Sequence, residues 1–113
     1  MTGLDGPVIQ DANGNKGFPG FDSMSASVSL SYVAAMQEHG VPVTYAYISD
    51  AHDNHAVPTA YGTGEAGYVA ALKAYDNAFG KFFARLTQDG IDKSNTLFVF
   101  TSDEGGHFVD GAP

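Results

Sequence analysis

The stretch "EAGYVAALKAYDNAFGKFFARLTQDG", residues 65–90, decides the fold. Tyr68, Ala71, Leu72, Tyr75, Phe79, Phe82, Phe83 and Leu86 recur at steps of three and four, so one apolar face persists for about six helical turns. Thr63 or Gly64 stands where a cap is needed, Glu65 sits at the positive end, and Gly90 stops the helix. On either side lies an apolar run. "VPVTYAYIS", residues 41–49, and "NTLFVFTS", residues 95–102, are β-branched and aromatic with little charge, as strands buried on both faces are. Pro42 falls at the entry of the first, where a missing N–H does least harm. Two buried strands joined through one long helix predict an α/β fold: a parallel, right-handed βαβ unit with Leu72, Tyr75, Phe79 and Phe82 packed on the sheet.

Upstream, Met24, Val28, Tyr32, Ala35 and Met36 recur at helical spacing between Ser23 and His39, with Asp22 or Ser23 as N-cap and Gly40 as the stop. Residues 1–22 are rich in Gly, Asn, Asp and Pro without a sustained period, which predicts loop and turns. The chain therefore divides into an irregular 1–22 and an α/β portion over 23–108, within a single domain or a segment of a larger one.

The 113 residues suit one small core, and 43% hydrophobic with 12% aromatic residues excludes a disordered chain. Thirteen acidic against five basic residues give a charge of −8, which repels phosphate backbones and argues against nucleic acid held through a basic patch. Without cysteine there is no disulfide framework and no thiolate metal site, and the redox compartment stays open. No apolar run reaches the roughly 18–20 residues of a membrane span, and no basic-then-apolar signal pattern opens the chain, which leaves the compartment open, an exported or periplasmic location included.

Ligands in parallel sheets gather at the carboxyl ends of strands. Asp50, His52, Asp53 and His55 follow the first run, and Asp103, Glu104 and His107 follow the second. Carboxylate oxygen and imidazole nitrogen are the donor set of zinc and manganese, whereas oxygen alone favours calcium or magnesium. Packed together without a cation, four carboxylates would raise one another's pKa and cost stability. A single Asp after a strand is ordinary turn chemistry; two clusters at adjacent strand ends are not. His39, at a helix C-terminus, reads as a capping or surface residue, and the Tyr and Phe stripe of residues 68–86 reads as core. Ser23 and Ser25, near the N-terminus of that helix, are weighed as nucleophiles, and N-cap duty explains Ser23 more simply.

The runs "YAYISDAHDNH" (45–55), "YVAALKAYDNAFGKFFARL" (68–86) and "NTLFVFTSDEGGHF" (95–108) together resemble the metal-binding half of the alkaline phosphatase superfamily, in its phosphodiesterase and nucleotide pyrophosphatase-like branch. The resemblance covers residues 41–108 and implies a metal-dependent phosphoesterase. Asp50 and His55 match the Asp and His of the first metal site, Asp103 matches the Asp of the second, and Glu104 stands where many members place a His. Four residues separate Asp50 from His55 where common members have three, which brings His52 and Asp53 into the ligand choice. Glu104 makes the second site more oxygen-rich and shifts the expected ion from zinc toward manganese, calcium or magnesium. The superfamily's Ser or Thr nucleophile, its earlier Asp ligand and its last His ligand find no counterpart here, so the resemblance implies a segment of a larger hydrolase that is incomplete as a catalyst. The implied substrate is a small phosphate ester or a lipid head group. A non-catalytic metal-binding or structural α/β domain is the competing reading, and exposed sheet edges would favour a homo-oligomer.

Overall fold

The computed structural model describes residues 1–11, 13–20, 24–49, 51 and 61–102. Two helices carry the architecture: α1, Ala26–Glu38, and α2, Ala66–Gln88. Ser25 is the N-cap of α1, accepting a hydrogen bond from the Val28 N–H at 3.3 Å, so the helix starts later than Asp22 or Ser23 would place it. His39 is the C-cap, and its ring Nδ1 donates to the Ala35 carbonyl at 2.7 Å, the capping role its position foretold. Gly40 follows at φ 79° and Gly90 follows α2 at φ 75°, the left-handed conformation in which glycine ends a helix without a Cβ penalty.

The core lies between the helices. Ala26, Leu30, Val33 and Ala34 of α1 meet Ala78, Phe82 and Leu86 of α2, with Tyr75, Phe79, Ile48, Ile91 and Phe98 packed around them. At the C-terminal ends of both helices the Arg85 guanidinium donates a two-pronged pair of hydrogen bonds to Glu38, at 2.6 and 2.8 Å. Such a planar fork fixes orientation as well as distance. The N-terminal segment is irregular, as its composition predicted, but it is pinned. Single antiparallel bridges join Thr2 to Val8 and Gln10 to Lys16. The Leu4 N–H donates to the Ser31 hydroxyl at 3.0 Å, that hydroxyl donates to the Ser27 carbonyl at 2.6 Å, and Lys81 of α2 pairs with Asp5.

Two expectations are corrected. The α/β fold with a parallel βαβ unit is not what forms: among the described residues there are two helices and no strand, and no backbone hydrogen bond joins 41–49 to 95–102. Neither run forms a strand: a strand closes none of its own backbone bonds, and an isolated pair of strands is at best marginal in water. The apolar pattern predicted buried strands; pairing is a property of the whole chain that the pattern does not contain. Leu72, in consequence, meets no sheet and is 45% exposed. The second correction concerns α1, whose N-cap is Ser25 and not Asp22 or Ser23; its buried residues are Ala26, Ser29, Leu30, Ser31, Val33 and Ala34, beside the repeat through Val28, Tyr32, Ala35 and Met36. The helix is apolar on nearly every side, so its period alone does not choose the side that α2 covers.

Candidate functional site

All seven residues singled out as ligands, Asp50, His52, Asp53, His55, Asp103, Glu104 and His107, lie outside the described residues. Among the described residues no group of three or more His, Asp or Glu side chains stands where it could hold a metal ion. What the structure does show is how the chain is delivered to both clusters.

The first approach is the run 41–49. Ile48 packs against the interhelical core, and the Tyr75 hydroxyl of α2 donates to the carbonyl of Ser49, the residue immediately before Asp50. Ala51, the residue immediately after, is buried. Gln37 of α1 holds the middle of the same run through its amide, which donates to the Thr44 hydroxyl at 3.3 Å. The second approach is the run 95–102, and aromatic edges hold it. Phe98 meets Phe83 at 5.1 Å and Phe82 at 6.5 Å between ring centres, and Phe100 meets Phe79 at 5.3 Å, all edge-to-face, the geometry that aromatic quadrupoles favour. At the entry of this run Asp92 accepts from the Ser94 N–H and hydroxyl, which holds its carboxyl below the ordinary value of 3.8. One face of α2 thus carries both approaches, with Tyr75 and Phe79 a single turn apart.

An apolar cleft of about 190 Å³ opens between α1 and the first approach, lined by Phe18, Tyr32, Val33, Met36, Tyr45 and Tyr47 among others. Among the described residues its lining offers no carboxylate or imidazole. Of the two serines weighed as nucleophiles, Ser25 is engaged as the α1 cap and Ser23 lies outside the described residues.

The Sulfatase family model matches residues 26–112, well over half of the chain and inclusive of both polar clusters. The chain belongs to the Sulfatase family. That family lies within the alkaline phosphatase superfamily, so the superfamily resemblance carried by residues 41–108 holds at that level. No curated protein and no solved structure matches the chain. Sulfatase-family members are metal-dependent, and no metal site is visible among the described residues of this chain.

The contact of the Tyr75 hydroxyl with Ser49 is what sequence reasoning passed over, since its place in the apolar stripe marked Tyr75 as core. A signal was there: a tyrosine in such a stripe brings a hydroxyl that needs a partner once it is half-buried.

Proposed function

We propose that this chain contributes ligands to a divalent-metal centre that hydrolyses phosphate or sulfate esters. The family match across residues 26–112 carries the reading, because it spans both acidic and His clusters. The donor set fits such an ion: Asp50, Asp103 and Glu104 offer anionic oxygen and His55 offers imidazole nitrogen, with His52, Asp53 and His107 as neighbouring alternatives. Zinc, manganese and calcium are all compatible with that mixture. When bound, the metal supplies positive charge that stabilises the developing charge on the transferring group.

The chain's own residues would act by placing carboxylates and imidazole at the ends of two runs held on α2. No nucleophile is assigned among them, since the Ser25 hydroxyl is engaged as a helix cap and no residue of the sequence convincingly matches the superfamily's Ser or Thr. The chain by itself therefore positions a metal and does not turn over. Within the superfamily the substrate is a phosphate ester of the kind met in the phosphodiesterase and nucleotide pyrophosphatase branch, or the corresponding sulfate ester, in both cases a tetrahedral oxyanion on a small molecule or a lipid head group.

Metal analysis of protein purified without chelator should find about one equivalent of zinc, manganese or calcium. Asp103→Ala should weaken binding more than any other single change, because that residue stands at the end of its run. Calorimetry with no binding tighter than millimolar for any of the three ions would sink the reading. Chromogenic phosphate and sulfate esters should be hydrolysed at background rate with each ion added. Turnover of about 1 per second or more, abolished by Asp103→Ala, would show instead that a nucleophile is present in this chain.

A further inference from the structure

We propose that the cleft between α1 and the run 41–49 binds a small, uncharged aromatic molecule carrying one hydroxyl, a simple phenol. The site is separate from the metal-centre reading above and does not depend on it.

Three observations carry the assignment. The first is a polar group with nothing to bond. Ser29 of α1 is 2% exposed and lines the cleft, and its Oγ is buried without a hydrogen-bond partner among the described residues. Ser31, also buried, shows the usual arrangement: its hydroxyl receives the Leu4 N–H and donates to the Ser27 carbonyl. A buried hydroxyl left unpaired bears the whole cost of its lost water, so a bound group that bonds it offsets that cost. Serine has one side-chain torsion with three staggered positions, and its hydroxyl can turn to such a group without moving the helix.

The second observation is the make-up of the walls. Phe18 and Tyr32 line the cleft and meet edge-to-face at 5.9 Å between ring centres, and Tyr45 and Tyr47 line it from the run. Rings offer faces and edges to a further ring, and the thioethers of Met24 and Met36 adapt to its outline. The third is size and charge. An apolar cavity of about 150 Å³ takes benzene, and this one, at about 190 Å³, suits a single ring with one substituent. Among the described residues no charged side chain lines it, so an ionised ligand would lose its hydration without a counter-charge.

Methionine methyl ¹³C resonances read the site directly. The chain has three methionines, of which Met24 and Met36 line the cleft and Met1 does not. Phenol should shift Met24 and Met36 with a Kd on the order of 1 mM and leave Met1 in place. Toluene, matched in size, should shift the same two methyls, and benzoate neither. Ser29→Ala sets a good helix former in a buried position and should weaken phenol about three- to tenfold while leaving toluene unchanged. Ser27→Ala removes a hydroxyl outside the cleft and should alter neither ligand.

Movement of Met1 together with the other two methyls would mean unspecific contact with aromatic rings and would overturn the proposal. Unmoved Met24 and Met36 with both phenol and toluene would overturn it as well, since the cleft would then be covered in solution. Equal weakening of phenol and toluene by Ser29→Ala would trace the loss to packing and remove the hydroxyl from the account. Benzoate bound as well as phenol would overturn the choice of an uncharged ligand.

Discussion

The interhelical core and the two extended runs are built from the same kinds of residue and come to opposite ends. Phe82 and Leu86 of α2 are 2% and 0% exposed, whereas Tyr45 and Leu97 of the runs are 92% and 87% exposed. The difference is one of where backbone bonds close. A helix satisfies each N–H four residues back, so it needs a neighbour only for one face of side chains, and α1 with α2 supplies that. An extended run must find a second run before any of its backbone is satisfied. Its apolar side chains are then held only where a helix happens to pass, as at Ile48, Phe98 and Phe100.

Substitution can break this contrast or sharpen it. Phe82→Ala should cost about 3 to 5 kcal/mol, the value of an aromatic ring lost from a packed core, read by denaturant unfolding. A loss near zero would mean that the interhelical core does not hold the chain together. Next in size is Glu38→Gln, expected to cost about 1.5 to 3 kcal/mol at neutral pH, since it removes the charge from a partly buried fork.

The same fork gives the contrast a pH axis. The Arg85 fork holds the Glu38 carboxyl below its ordinary value of 4.5, so its stabilisation is fully present above that value and drains away as the pH falls through the lowered one. Asp89 works in the other direction. The neighbouring Glu38 carboxylate pushes its carboxyl up from 3.8, so its contribution is present at acid pH and lost as the pH rises through the raised value. Asp89 is exposed and its share is screened, which leaves Glu38 dominant. Melting curves from about pH 7 to pH 3 should fall more steeply for the unaltered chain than for Glu38→Gln. Parallel curves would remove the fork from the account.

At the small end stand two leucines. Leu72→Ala should cost less than about 1 kcal/mol, because the side chain is half in water and alanine is the better helix former. Leu97→Ala should stay within about 0.5 kcal/mol, as an exposed site does. A loss above about 2 kcal/mol at Leu97 would show that the second run is covered in solution.

What could be read from the sequence follows the same division. The length of α2, its Gly90 stop and the burial of Phe82 and Leu86 were legible, because period and capping are local. The buried face of α1 was not, since apolar residues surround that helix and only α2 chooses among them. Nor was the state of residues 41–49 and 95–102, where composition pointed to buried, paired strands and the structure shows neither strand nor burial at Tyr45 and Leu97. For the site, the sequence named Asp50, His55, Asp103 and Glu104 as a donor set, which lies outside the described residues; the superfamily itself was legible, and the family match agrees with it at that level. The tether from Tyr75 to Ser49 was not, because it joins residues 26 apart and depends on how α2 is rotated.

The Ser31 hydroxyl, which receives the Leu4 N–H and passes its own proton to Ser27, has a practical consequence for anyone trimming this protein. The family match opens at Ala26, the first residue of α1, and a homology boundary drawn there would look natural. It would be a poor cut. It would discard Ser25 and with it the helix cap, strand Lys81 without Asp5, and strip Leu4 and Ile9 from the molecule, opening to solvent the side of α1 that Leu4 covers. Kinship and foldability are bounded at different residues here, and a shortened version meant to behave like the whole should keep the first twenty-five.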